Sequence, residues 1–89
     1  MSDVLYHATP FSRFYSIREK GLVPEPEHPV HLSAHDRRDF IACLHLVPVA
    51  DVALLQVDVS GLPVEEGWDG QGSFLVHQTV ASWRITLLG

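Results

Sequence analysis

Leu5-Tyr6-His7-Ala8-Thr9 opens the chain, a short amphipathic stretch closes on Gly21-Leu22, and Val30-His31-Leu32-Ser33 follows. The reading of this segment decides the fold. Each end reads as a strand that carries a histidine with a hydroxyl residue two positions on. Residues i and i+2 of a strand share a face, so each strand can aim an imidazole and a hydroxyl in one direction. Two such strands side by side would form a small polar cleft, with His7, Thr9, His31 and Ser33 as its candidate residues.

The intervening stretch reads as a helix. Thr9-Pro10 is a suitable start, a capping hydroxyl followed by proline at the first helical position. Phe11, Phe14 and Ile17 recur at near-helical spacing, and Gly21 is a natural stop. Val23 to Pro29 holds three prolines in seven residues and reads as an extended loop. Ser33-Ala34-His35-Asp36 has the form of a capping box. The helix after it carries Phe40, Ile41 and Leu44 on one face, has Arg37 and Arg38 in its first turn, and should end before Pro48. As caps, Thr9 and Ser33 would each contribute about 1 kcal/mol.

Further on, Val52 to Val59 is apolar and β-branched, the pattern of a central buried strand. Gly61 to Gly72 reads as loop with at most a short turn of strand. Phe74 to Val80 and Trp83 to Leu88 read as closing strands. The expected order is β-α-β-α-β-β-β, an α+β domain with a small mixed or antiparallel sheet. With no repeat or long linker, residues 1–89 read as a single domain.

Composition narrows the function. The net charge is −5, and five of the six Lys and Arg residues fall within residues 1–45, the half that holds both histidine strands. Overall acidity disfavours long nucleic acid, whose nonspecific binding requires several neutralised phosphates. It leaves room for a small anionic ligand, and a phosphate is one reason for arginines at a helix start. No segment reaches the ~20 apolar residues of a membrane span. Met1-Ser2-Asp3 lacks the pattern of a secretory signal. The single cysteine, Cys43, rules out an intrachain disulfide framework, fits a reducing cytoplasm, and reads as a buried thiol within Phe40–Leu44. Trp68 and Trp83 read as core or cover residues. His28, His31 and His35 lie close in sequence, but no Cys-x-x-Cys or His-Glu-x-x-His spacing supports a metal site. Gly-x-Ser-x-Gly is absent as well.

Tyr6-His7-Ala8-Thr9, a helix ending in Gly-Leu, and Val30-His31-Leu32-Ser33 together resemble the start of ADP-ribosyltransferase-like domains. The motifs are most similar to those of NAD-dependent RNA 2′-phosphotransferases. Small bacterial domains of the same superfamily share an apolar strand ending in Val-Asp, here Leu54 to Asp58. The resemblance implies a split sheet that grips NAD, or an ADP-ribose-type nucleotide, between its halves. It implies roles for His7, Thr9, His31 and Ser33 in holding the nucleotide, while Arg37, by its place at the helix start, is a candidate to meet a phosphate of it. His7 and His31 would be the catalytic pair, at a site where nicotinamide leaves an oxocarbenium-like ribose. Many members carry a late-strand glutamate that stabilises this transition state. Its position here falls near Ser73, and Phe74 to His77 contains no acid. The resemblance therefore implies either a transferase or a non-catalytic nucleotide sensor, sponge or interaction module. RNA 2′-phosphate removal is a third reading, and here the basic lobe of that branch is missing.

Overall fold

The computed structural model describes residues 3–67 and 72–89. It is an α+β domain with one six-stranded antiparallel sheet and two helices. In chain order the elements are β1 (Val4–Pro10), α1 (Phe14–Lys20), β2 (Val30–Ser33), α2 (Arg38–His45), β3 (Val52–Asp58), β4 (Glu65–Glu66), β5 (Ser73–Val76) and β6 (Ile85–Leu87). The sheet order is β4-β5-β2-β1-β3-β6. The expected α+β class is thus present, and β4 is a two-residue strand beyond the expected order. Trp68 lies outside the described residues.

Strand β3 is central because its sequence is apolar on both faces. Val52, Ala53, Leu54, Leu55 and Val57 are all buried, and β1 matches β3 along its whole length, from Val4 opposite Asp58 to Pro10 opposite Val52. Opposed residues of an antiparallel ladder share a face. One face therefore carries Leu5, Ala53, Leu55 and Val57, which pack with Ile17 of α1, Leu22, Val30, Leu32, Val76 and Val80 into the main core. The other face carries Tyr6, Ala8 and Leu54, and α2 lies over it against β1 and β3. Among the described residues, no helix is long and apolar enough to cross a membrane.

Several boundaries differ from the sequence reading. Strand β1 runs on through Thr9 and Pro10 because Thr9 finds a ladder partner in Ala53, so Thr9 caps no helix. A 3-10 turn at Phe11–Arg13 leads into α1, and Pro10 precedes it without a side-chain cap. Ser33 also ends a strand rather than starting a helix. Helix α2 begins at Arg38 with Arg37 before it, and the anticipated capping box does not form. Asp36 supplies the local turn instead, accepting from the Arg38 backbone N–H at 2.9 Å and from its guanidinium at 2.7–3.1 Å. Strand β5 stops at Val76, and Trp83 sits in a 3-10 turn, Ser82–Arg84, before β6. Trp83 is exposed rather than a core or cover residue.

Helix α2 presents its apolar face openly: Phe40 is 59% and Leu44 63% exposed, and only Ala42 is buried. The helix sits on the sheet through its small residue and leaves the large ones beside a cleft. Cys43 is exposed on this helix and unpaired, contrary to the buried thiol that its apolar neighbours suggested.

Candidate functional site

The site forms where the sheet opens. Strands β1 and β2 share a single ladder pair, Tyr6 opposite Ser33. Strand β2 continues its pairing on the other side, from Val30 opposite Val76 to Ser33 opposite Ser73. Beyond the one shared pair, the two histidine strands separate. The His7 ring bridges the opening, with Nδ1 lying 2.8 Å from the main-chain oxygen of His31. This side-chain bond takes the place of the missing ladder.

A carbonyl oxygen only accepts, so Nδ1 of His7 carries the proton. Burial holds the imidazole below its ordinary range. The bond to the His31 carbonyl opposes that shift, and the nearby His31 and Arg13 add to it. A neutral ring protonated at Nδ1 presents a lone pair at Nε2. His7 is thereby fixed as a donor toward the protein and an acceptor on its remaining nitrogen.

A cleft of about 360 Å³ lies between α2 and the split, bordered by His7, His31, Ser33 and Arg37 among the expected residues. Thr9 is not part of it. The parity of the ladder explains why. Tyr6 and Ser33 share a face, so His31 and Ser33 belong to the α2 side, while His7 and Thr9 belong to the α1 side. The two hydroxyl-histidine pairs therefore do not aim at one site, as the strand reading anticipated. His7, placed at the opening, nevertheless borders the cleft on the α2 side. Thr9 is buried beside it.

The cleft is graded along its length. At one end Ser33 Oγ accepts from the His35 backbone N–H at 3.1 Å and from Arg37 Nε at 3.3 Å, with Ser73 opposite Ser33. Along α2, Phe40, Ile41 and Leu44 form an apolar wall that faces Tyr6, Ala8 and Leu32. The two arginines at the helix start divide their tasks. Arg38 is committed to Asp36, whose carboxyl its hydrogen bonds hold below the usual carboxylate range, while Arg37 borders the cleft. No carboxylate lines the cleft among the described residues.

Sequence reasoning missed the apolar wall and Tyr6 as site residues. The signal for the wall was present in the Phe40, Ile41 and Leu44 spacing, but periodicity cannot tell a core stripe from a ligand-facing one. Among the described residues no group of three or more His, Cys, Asp or Glu is placed to hold a metal ion. A scan against models of protein families finds no match to this chain, and a search of curated proteins finds none.

Proposed function

We propose that the cleft binds NAD or an ADP-ribose-type nucleotide, in the manner of the ADP-ribosyltransferase-like domains that its motifs resemble. The observation that carries this reading is the split between β1 and β2, with His7 and His31 on its two lips. A cleft of about 360 Å³ is near the lower bound of small-molecule sites. It suits one nucleoside half of a dinucleotide. In this reading the planar ring lies against Phe40, Ile41 and Leu44, ribose hydroxyls donate to His7 Nε2, and Arg37 with Ser33 meets a phosphate. The apolar wall and the single cation suit a ligand that is flat and apolar at one end and anionic at the other.

Turnover at this site would break the bond between ribose C1′ and the nicotinamide nitrogen. The bonding pair leaves with the nitrogen and cancels the ring's positive charge. An acceptor's lone pair then forms the new bond to C1′ as its proton passes to solvent. The carboxylate that stabilises this step in many of the resembling domains would fall near Ser73, which lies on the cleft wall. That serine favours a second reading of the same site, a non-catalytic nucleotide sensor or sponge.

Titration of NAD and of ADP-ribose into ¹⁵N-labelled protein, with nicotinamide release followed by mass spectrometry, tests the proposal. Amide shifts at His31, Ser33, Arg37 and Phe40 are expected. Release alongside them marks a transferase or hydrolase, and shifts without release mark a sensor. In the latter case Ser73→Glu should raise release by about 100-fold over the wild-type background, the scale of one oriented transition-state contact. Absence of shifts with either nucleotide overturns the proposal.

A further inference from the structure

A second hollow, of about 770 Å³, lies on the α1 side of the split and has His7 and His31 in common with the cleft. Its remaining walls come from the turn before α1, from α1 itself and from the proline-rich loop. We propose that this hollow is a separate anion site that takes a phosphate-bearing ligand, with Arg13 and Lys20 as its cations.

The uneven commitment of the cations leads to this site. Arg38 is paired with Asp36. Arg84 donates to the main-chain oxygens of Asp58 and Ser60 and lies over the Trp83 ring. Arg18 lies over the Tyr15 ring, and Arg37 donates to Ser33. Among the lysines and arginines of the described residues, Arg13 and Lys20 are the two that make no hydrogen bond, ion pair or ring contact, and both line this hollow. Residues 13, 16, 17 and 20 fall on one side of the helical stretch by their spacing. Ile17 anchors that side in the core. The same face therefore carries Arg13, Ser16 and Lys20 along the hollow's wall.

The electrostatic balance agrees. Glu25 is the one carboxylate on this wall, against two cations, in a chain whose net charge is −5. The hollow is thus a local reversal of the molecule's charge, and Arg13 lies near enough to His7 to depress its protonation. Two uncommitted cations with the Ser12 and Ser16 hydroxyls match the oxygens of a phosphate. A hollow of this size leaves room beside a phosphate for an organic part of the ligand. Two sources share this chemistry, the pyrophosphate of a dinucleotide in the cleft and a second phosphorylated molecule. The site itself does not depend on what occupies the cleft.

Titration of inorganic pyrophosphate into ¹⁵N-labelled protein, alone and with saturating NAD, provides the test. Shifts at Arg13, Ser16, Lys20 and Val23 are expected, weakening as salt rises. An Arg13→Gln/Lys20→Gln variant should bind about tenfold or more weakly, with an unchanged melting temperature because both side chains are exposed and unpaired. Competition with NAD would assign the site to the dinucleotide's own phosphates, and additive binding would assign it to a second molecule. Either result upholds the site. Shifts confined to Arg37 or Arg84, or equal affinity in the variant, overturn it. Should NAD cause no shifts while pyrophosphate does, the cleft reading fails and this one stands.

Discussion

His7 combines structural and chemical work in one side chain. Its Nδ1–H closes the gap between two strands by reaching the His31 carbonyl, and its burial disfavours the charged form. The sign of the resulting pH dependence follows from linkage. With the native value held below the unfolded 6.5, the unfolded chain takes up a proton first as pH falls. The stability contributed by neutral His7 is complete above that value and is lost as pH drops toward the lowered native one. Thermal melts between about pH 8 and pH 5 should show His7→Gln losing less stability on acidification than the wild type, since the glutamine amide can donate but not titrate. Parallel curves would mean that His7 does not carry the effect. The sequence pointed to His7 through its strand and its neighbours. It could not show that His7 and His31 have opposite parity in the ladder, because that depends on the register between β1 and β2. A shift of one residue would have moved every side chain to the other face.

At the scale of the element, α2 shows what a periodic pattern leaves open. Phe40, Ile41 and Leu44 read from sequence as one apolar face of the helix, and a core stripe has the same spacing. The helix nevertheless touches the sheet through Ala42, and the large side chains border the cleft. A face that is open in the free protein contributes little to folding and remains available to a ligand. Phe40→Ala and Leu44→Ala together should therefore cost less than about 1 kcal/mol of stability. The same double variant should weaken NAD binding by about tenfold or more, since each removes apolar surface that a bound ring would cover. Denaturant melts and the nucleotide titration separate the two effects. A large loss of stability would place the two side chains in the core instead. The turns that delimit the elements were only partly legible. Thr9 and Ser33 have the chemistry of caps, yet each found a ladder partner in Ala53 and Ser73, and pairing between strands outweighed the local preference. The glycine at the end of α1 was legible because it acts locally. Gly21 has a φ of +79°, and a Cβ there would collide with the Val80 carbonyl oxygen.

For the molecule as a whole, β3 is the element on which everything else depends. It pairs with β1 on one side and β6 on the other, and it underlies both helices, Leu55 and Val57 toward the α1 core and Leu54 toward α2. This much was evident in the run Val52 to Val59, which is too apolar to face water on either side. The α+β class followed from the same kind of pattern. The arrangement of strands across the sheet did not, because it is set by contacts distant in sequence. Leu55 is fully buried, and Leu55→Ala should remove about 2–5 kcal/mol through lost transfer energy and the cavity left behind. For a chain of 89 residues, with total stability toward the lower end of about 5–15 kcal/mol, that is a large fraction. The loss should appear as a lower denaturant midpoint with an unchanged slope if the two faces of the sheet unfold together. Fluorescence and far-ultraviolet circular dichroism should then report one coincident transition. Separate transitions for the α1 and α2 sides would instead mean that the split between β1 and β2 divides the molecule energetically. In that case a ligand spanning the split would stabilise the fold by coupling its halves, and nucleotide would merge the two transitions into one.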